Sequence, residues 1–590
     1  MIKKLFTAIL LMAAVLPIMS SNNRNKTIRL KIVATTDVHG NFFPYNFITQ
    51  QPWDGSMARV AAFVDSLRNA EGRESVLLLD NGDILQGQPT VYYYNYIDTA
   101  TSHIADDIYR FLDYDAATIG NHDVETGHPV YDRWIAESPA PVLGANVIDT
   151  ATDRPYLKPY TVISRGGLRI AVLGLLTPAI PAWLPQDIWS GLRFDDMTET
   201  AAKWIPIIKE KENPDLIIGL FHSGRDYSRK TGDYIENASL HVAENVPGLD
   251  AVFFGHDHQR FAQKVTTPDG RQIWALNPAN NARAVAVADI SVSFDNRGLI
   301  SDKHIEGSIV DIANITPSRS YLNRFESQKN AINEFVTRKI GVSTDSITTP
   351  PAFFGPSAFI QLLHDLQLEI SGAEISLAAP LSFDSEIAKG DLTVSDMFKL
   401  YKYENMLYTM ELTGSEIKNY LEESYAFWTA QVDTADSEAH LLLFASDSPS
   451  LSDNRLKNPS YNFDSAAGIN YTVDITKPKG QKITITSLSS GEPFDLNRRY
   501  TVALNSYRGN GGGNHLTAGA GIPQSELASR IVRSTDKDLR YYLLKAIEKR
   551  GVVRPHIDRN WRFIPEDIAA KAAARDSMLL FGPGASKEQK

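Results

Sequence analysis

The sequence of 590 residues contains no cysteine. This absence excludes disulfide bonds, a thiol nucleophile, thiolate metal ligands and a lipid-modified N-terminal cysteine. Histidine, aspartate, asparagine and glutamate are therefore the residues left to bind a metal ion. With 43% hydrophobic and 22% charged residues the composition is that of an ordinary globular protein, and the length predicts about two to four domains.

The sequence also lacks an excess of positive charge. Lys and Arg total 59 against 70 Asp and Glu, which gives a formal net charge of −11. A protein that binds a nucleic-acid polymer normally shows a basic face, so we expect no such partner. An acidic protein can still bind small phosphate esters if metal ions supply the positive charge.

Long hydrophobic runs are confined to the N-terminus. Lys3 and Lys4 precede an apolar run at 5–19, and Ser20 and Ser21 follow it. The run is shorter than the roughly 20 residues that cross a bilayer. We therefore expect residues 1–21 to be a cleaved signal peptide, which leaves a periplasmic or secreted protein without a stable membrane span. An uncleaved N-terminal anchor is the alternative.

Strand-like segments recur through the first 290 residues. They fill 28–35, 75–79, 169–176, 216–221 and 251–254, and stretches with helical spacing of apolar residues separate them, as at 58–68 and 198–211. This alternation predicts an α/β domain whose loops meet along one edge of its sheets.

Polar side chains of metal-ligand type directly follow the segments at 28–35, 75–79, 216–221 and 251–254 and the apolar lead-in at 116–119. Residues two apart in an extended segment point the same way, so Asp37 and His39 can aim at one point. Each cluster alone has an ordinary explanation as a helix cap, a packed histidine or a solvated loop. Together they predict a polar site formed by Asp37, His39, Asp83, Asn121, His122, Asp123, Glu125, His222, His256 and His258.

Five motifs occur in order along the chain: Asp-x-His, Gly-Asp, Gly-Asn-His-Asp, His-Ser-Gly and Gly-His-x-His. In this order they resemble the calcineurin-like binuclear metallophosphoesterases over about residues 28–290. The resemblance implies a four-layer αββα domain in which Asp83 bridges two divalent ions. It gives one ion Asp37, His39 and His258, and the other Asn121, His222 and His256. Such ligands suit Mn, Zn, Co or Fe, and two ions about 3.5 to 4 Å apart can activate water and hold a phosphate.

By the same resemblance, His122 lies beside the metals without binding them. It would stabilise transition-state charge and protonate the leaving oxygen. A histidine in that role needs a partner that fixes its tautomer. Glu125, three residues later, is our candidate, with Asp123 as the alternative.

A change of pattern near residue 318 marks a domain boundary. Residues 318–341 carry apolar residues on one helical face, and we interpret them as a linker between a domain at 28–317 and a second at 342–565. A last helix of the first domain is the alternative. The second domain is predicted to be α+β, with His364 merely packed in a helix. We expect a charged, alanine-rich tail at 566–590, disordered from 582 onwards.

The second half resembles the C-terminal domain of the 5′-nucleotidase family, which binds the nucleoside. The motifs that support this are Ala379-Pro380, Tyr401 to Asn405, Tyr461 to Asp464, Gly468 to Tyr471 and Asn505 to Gly513. A base held between aromatic faces gains about 1 to 3 kcal/mol per ring. We expect Phe463 and Tyr507 to form that clamp, with Tyr461 as the substitute for Phe463 and Arg508 beside it. Alternatively, Phe463 is core and 509–513 is only a turn.

The Tyr-Arg pair before a glycine run looks closest to 2′,3′-cyclic-nucleotide 2′-phosphodiesterase/3′-nucleotidases. The resemblance implies an exported nucleotide phosphohydrolase in which metal-bound hydroxide opens the cyclic ester and the 3′-phosphate is then removed. A 5′-nucleotidase or nucleotide-sugar hydrolase is the nearest alternative, and a non-catalytic nucleotide-binding protein is one from another class. One departure is that residues 277–283 replace a glycine-rich return, so that Asn281 or Arg283 could adjust phosphate entry.

Overall fold

The computed structural model describes residues 26–228, 230–231 and 233–586. The signal peptide predicted at 1–21 lies outside these residues. Within the described ranges, no helix combines the length and the apolar character that a bilayer span requires.

Two six-stranded mixed sheets form the centre of the first domain. Each has four consecutive parallel strands, with antiparallel strands at its edge or edges. In spatial order the first sheet contains Ile300–Asp311, Ala284–Phe294, Lys26–Thr35, Val76–Asp80, Ala116–Thr118 and Val142–Leu143. The second contains Arg260–Thr266, Gln272–Pro278, Ala251–Phe254, Leu216–His222, Leu168–Leu176 and Tyr160–Arg165.

The two sheets pack face to face with helices outside both. Side chains such as Ile32 and Leu79 from the first sheet and Val172 and Leu220 from the second share one buried cluster. Strands buried on both faces explain the near-continuous apolar runs in the sequence. Helices Met57–Glu71, Ile104–Leu112 and His128–Glu137 cover the first sheet, and Met197–Glu212 and Ser239–Asn245 cover the second. The predicted αββα order is confirmed.

The predicted linker is two short helices, Arg319–Arg324 and Glu326–Thr337, with a break at Phe325. Tyr321, Phe325 and Ile332 are fully buried in the core of the first domain. The segment therefore packs against the first domain.

The second domain is built on a five-stranded mixed sheet, in agreement with the α+β prediction. Its strands are, in spatial order, Ser465–Ala467, Ile375–Ala378, Arg499–Asn505, Met406–Thr413 and Ile531–Asp538. Three-stranded sheets formed by Gly390–Thr393, Lys339–Ser343 and Val552–Val553 and by Ile483–Leu488, Ile469–Asp474 and Trp561–Ile564 flank it. Its helices include Ala358–Ser371, Val394–Leu400, Gly414–Trp428 and Leu539–Arg550.

The expected C-terminal tail needs correction, because most of it is a helix, Glu566–Phe581. Ala569, Ala572 and Leu580 bury one face of this helix in the core of the second domain, and Asp576 accepts backbone hydrogen bonds from the 441–442 segment at 2.8 Å. The alanine-rich pattern is thus the buried face of a helix. The expected disorder at 587–590 falls outside the described residues.

Candidate metal centre at the edge of the two sheets

The loops that carry the predicted ligands all leave the carboxyl ends of parallel strands, where the edges of the two sheets meet. Five of the seven predicted metal ligands have a positive φ, between 48° and 74°, in the left-handed region that non-glycine residues rarely adopt. Such backbone strain is concentrated at functional sites. The five are Asp37, His39, Asp83, His256 and His258.

Asp83 lies fully buried at the middle of the site. Its Oδ1 accepts a hydrogen bond from the His122 N–H at 2.8 Å, and its Oδ2 lies 3.1 Å from His222 Nε2. His222 Nδ1 points at the Asn81 carbonyl oxygen, 2.6 Å away, which assigns the ring proton of the neutral side chain to Nδ1. The Nε2 lone pair of the neutral ring then faces a carboxylate oxygen, an arrangement that a cation between them would stabilise.

The charge balance of the site supports the same conclusion. Burial alone would lower the pKa of His222, but Asp83 and Asp37 outweigh it and raise that pKa to about 10. Burial would likewise raise the pKa of Asp83, yet the neighbouring His222 and His122 hold it well below its usual value. The carboxylates thus demand positive charge inside the site, which divalent ions can supply.

A second group of donor atoms meets at Asp37. His258 Nε2 lies 3.3 Å from Asp37 Oδ1 and 3.0 Å from His39 Nε2. His39 directs its Nδ1 to the Gln86 carbonyl oxygen at 3.1 Å, so its Nε2 also presents a lone pair. Burial and the neighbouring His258 lower the pKa of His39 to about 3, which keeps it neutral and able to ligate.

A third group completes the set. Asn121 Oδ1 lies 3.1 Å from His222 Nε2 and 2.8 Å from His256 Nδ1. The other ring nitrogen of His256 lies 3.0 Å from Glu236 Oε1. Sequence reasoning missed Glu236, because it lies in an irregular loop 14 residues after His222, with no pattern to relate it to His256.

Among the described residues, donor atoms of Asp37, His39 and His258 lie within 4.8 Å of one another, as do those of Asp37, Asp83 and His222. Carboxylate oxygens, imidazole nitrogens and an amide oxygen form a mixed set that suits Mn, Zn, Co or Fe. The residues present therefore fit two divalent ions.

His122 is placed beside this set and held by Glu125. Its Nδ1 lies 2.5 Å from Glu125 Oε2, and its ring centroid is 5.5 Å from that of His39. Burial lowers the pKa of His122, but Asp83 and Glu125 outweigh it and raise the pKa to about 9.

The alternative partner, Asp123, is wrong. Its carboxylate accepts hydrogen bonds from the backbone N–H groups of Asp83, Ile84, Leu85 and Gly120 at 2.8 to 2.9 Å. It therefore ties two loops together and is not the partner of His122.

The loop at 277–283 closes the site on one side. Asn281 donates its backbone N–H to the Asp37 carbonyl oxygen at 2.8 Å, and Asn280 Nδ2 lies 2.9 Å from His258 Nδ1. Arg283 instead packs its guanidinium over the Trp53 ring at 5.1 Å. The loop thus supports the backbone of one predicted ligand and the ring of another.

In the second domain, the expected role of Phe463 is wrong. Its ring is fully buried and stacks on Trp428, with centroids 5.5 Å apart and planes 3° apart. A ring enclosed in this way offers no face to a base, as the core alternative expected.

Arg508 is also part of the interior and not of a binding surface. Its guanidinium pairs with Asp464 at 2.9 and 3.1 Å and donates to the Gly512 and Tyr461 carbonyl oxygens. These contacts fix the glycine loop in place, and Arg508 is only 2% exposed, so its predicted contact with substrate is wrong.

Tyr461, the substitute named for Phe463, and Tyr507 are both partly exposed. Their ring centroids lie 6.5 Å apart with planes at 86°, and Tyr403 meets Tyr461 in the same way. The pair is thus an aromatic corner and not a parallel clamp. One face of Tyr507 is covered by Gly512, where an added Cβ would lie only 2.5 Å from the ring.

This aromatic corner adjoins the metal-ligand set. Burial raises the pKa of Tyr461 to about 12, and the Glu236 carboxylate contributes to that shift across the domain boundary. Trp183 of the first domain lies on the His256 ring at 5.6 Å, and its carbonyl oxygen accepts from Asn510 Nδ2 of the glycine loop at 3.5 Å. The two predicted sites therefore form one continuous region.

Comparison with known proteins agrees with this geometry. Residues 30–260 match the calcineurin-like phosphoesterase model, and residues 339–519 match the 5′-nucleotidase C-terminal domain model. The chain is 28% identical to the trifunctional nucleotide phosphoesterase protein YfkN of Bacillus subtilis, of which it spans 41%. That alignment covers 97% of this chain.

A second relative is matched over most of both lengths. The chain is 26% identical to a 2′,3′-cyclic-nucleotide 2′-phosphodiesterase/3′-nucleotidase of Yersinia enterocolitica, over 94% of this chain and 90% of that protein. A Staphylococcus aureus structure described as a 5′-nucleotidase shares the fold, with a TM-score of 0.73 and 21% identity over 91% of this chain and 99% of that one. The first domain therefore belongs to the calcineurin-like phosphoesterases, and the second is a 5′-nucleotidase C-terminal domain.

Proposed function

We propose that this protein hydrolyses 2′,3′-cyclic nucleotides and 3′-nucleotides to nucleoside and phosphate. The observation that carries the proposal is the convergence of seven donor residues from five separate loops beside His122, next to the aromatic corner of the second domain. Relatives with these printed activities, matched over nearly their whole length, support the choice of substrate.

Two groups of residues would hold the two ions, with Asp83 shared between them. We name the set Asp37, His39 and His258 the Asp37 half, and the set Asn121, His222 and His256 the Asn121 half. When bound, divalent ions supply Lewis acidity toward the phosphate oxygens and activate water. In His39, His222 and His256 an acceptor at the outer ring nitrogen leaves the inner nitrogen unprotonated and holds the ring in place.

His122 would deliver the proton that the leaving oxygen needs. Glu125 holds Nδ1 at 2.5 Å, which leaves Nε2 as the atom that exchanges a proton with the substrate. A protonated ring also stabilises negative charge as the ester bond breaks. Without this proton the sugar alkoxide would be a poor leaving group.

Tyr461 and Tyr507 would contact the base. Stacking on aromatic faces is tolerant of base identity, so we expect weak discrimination between purines and pyrimidines. The second domain then sets which phosphate of the nucleotide reaches the metal ions.

Export remains part of the proposal, since it rests on residues 1–21 alone. N-terminal sequencing of the protein recovered from a periplasmic or culture fraction should show cleavage near Ser21. Recovery of the full-length chain from the membrane fraction would contradict it.

The substrate proposal is tested with the purified full chain supplied in turn with Mn, Co, Zn and Fe. Phosphate release is measured from 3′-AMP and 5′-AMP, and ring opening from 2′,3′-cyclic AMP. We expect higher kcat/KM for the cyclic and 3′ substrates. A clear preference for 5′-AMP would assign a 5′-nucleotidase, and no turnover with any metal would favour a nucleotide-binding protein.

A further inference from the structure

Glu236 contacts one of the four predicted ligand histidines, His256, in a way that the other three histidines lack. His39 and His222 direct their outer ring nitrogens to backbone carbonyl oxygens, whereas His258 Nδ1 accepts from the Asn280 amide nitrogen. His256 alone has a carboxylate as its outer partner, at 3.0 Å from Glu236 Oε1. A carboxylate is a stronger acceptor than a backbone carbonyl oxygen and raises the basicity of a ligating imidazole.

The backbone of Glu236 is fastened to the strand that carries His222. Its carbonyl oxygen accepts hydrogen bonds from Ser223 Oγ at 2.5 Å and Thr177 Oγ1 at 2.9 Å. Ser223 directly follows His222, and its Oγ also accepts from the Ala238 N–H at 2.7 Å. The Glu236 main chain therefore contacts the segment that carries His222, and the Glu236 side chain contacts His256.

The His256 ring is held on a further side by Trp183, at 5.6 Å between centroids. His258 is less restrained: its side chain is 39% exposed, against 11% for His256. The two halves of the centre thus differ in how firmly their last histidine is held.

We propose that Glu236 is a positioning residue that fixes His256 with Nδ1 unprotonated and directed into the site, and so sets how tightly the Asn121 half retains its metal ion. This inference rests on the proposed function, since it assumes that His256 ligates through Nδ1. The Glu236 carboxylate contacts His256 Nε2 and accepts a hydrogen bond from the Thr231 hydroxyl.

The test measures metal retention in the full chain. Wild type, Glu236→Gln and Glu236→Ala are loaded with Mn²⁺ and dialysed against Mn²⁺ buffers of decreasing free concentration, and bound Mn is counted by elemental analysis. Wild type should hold two ions. In both variants one ion should bind about 10- to 100-fold more weakly, while the other keeps its wild-type affinity.

The glutamine variant separates charge from shape, because its amide oxygen can still accept from His256. Excess Mn²⁺ should restore kcat in Glu236→Gln, since His122 is untouched.

A matched control is Glu244→Gln, which removes a carboxylate bonded to the Tyr227 hydroxyl at 2.6 Å and should leave both affinities unchanged. Unfolding midpoints of the metal-free variants should equal that of wild type.

Wild-type retention of both ions in Glu236→Ala would overturn the proposal while leaving the proposed function intact. A wild-type chain that binds no metal ion would overturn both. Equal weakening of both ions in Glu236→Gln would also contradict it, because that outcome indicates a general loss of structure.

Discussion

Two regions were predicted from different kinds of sequence signal: the strand-end loops of the first domain that carry the predicted metal ligands, here the metal edge, and the residues of the second domain predicted to contact the base, here the nucleotide face. The structure agrees with the two predictions to different degrees. At the metal edge, the side chains named from the sequence meet within hydrogen-bonding distance of one another. At the nucleotide face, two of three named residues, Phe463 and Arg508, are buried in the core. Only Tyr507 remains partly exposed.

The difference has a physical cause. A polar side chain at the end of a buried strand cannot enter the core without cost, so strand ends and residue type together specify where it lies. An aromatic ring is equally suited to a core and to a base-binding surface. The Tyr461-Asn462-Phe463 block contains both kinds of ring, because Phe463 is buried and Tyr461 is partly exposed.

The largest effect expected at the metal edge comes from His122→Ala. Loss of the proton donor should lower kcat by about 10² to 10⁴-fold, with two ions still bound, because His122 is not in the ligand set. The measurement is kcat alongside metal content. Unchanged turnover would remove His122 from the chemistry.

A matched variant sharpens this result. Glu125→Gln keeps an acceptor for His122 Nδ1 but removes the charge, so we expect a smaller loss of kcat than in His122→Ala. A double variant no slower than His122→Ala alone would show that Glu125 acts through His122.

The comparison at the nucleotide face is tested with two aromatic truncations. Phe463→Ala should cost about 3 to 5 kcal/mol in the free energy of unfolding, because it opens a cavity beside Trp428. Tyr461→Ala should leave stability nearly unchanged but raise KM about 5- to 150-fold through lost stacking. Urea denaturation and steady-state kinetics measure the two effects. A raised KM without loss of stability in Phe463→Ala, together with a loss of stability and an unchanged KM in Tyr461→Ala, would restore Phe463 as the base contact.

Much of the first domain follows from local pattern. The predicted strand at 251–254 agrees with Ala251–Phe254, and the helix at 198–211 lies within Met197–Glu212. Asp37 and Asp83 sit at strand ends that periodicity alone locates. Two other positions depend on tertiary contacts. The loop of Glu236 is held by a hydrogen bond from Ser223, and the apolar face of the Glu566–Phe581 helix is covered by the core of the second domain.

The backbone conformation of the loop at 277–283 could not be predicted from the sequence either. Ala279, Asn281 and Ala282 adopt φ values of 69°, 61° and 49°, where glycine would be expected. Nothing in the local sequence predicts a left-handed alanine, because such a residue costs about 1 to 2 kcal/mol. The hydrogen bonds from this loop to Asp37 and toward His258 hold it there.

The smallest expected effect tests that strain. Ala279→Gly removes the Cβ clash of the left-handed backbone but adds unfolded-state entropy of about 0.5 to 1 kcal/mol, so the net gain in the free energy of unfolding should be about 0.5 to 1 kcal/mol. Urea midpoints of metal-free protein measure it. Ala70→Gly, inside the Met57–Glu71 helix, is the control and should lose about 1 kcal/mol. If both variants lose stability alike, the loop is not strained at Ala279.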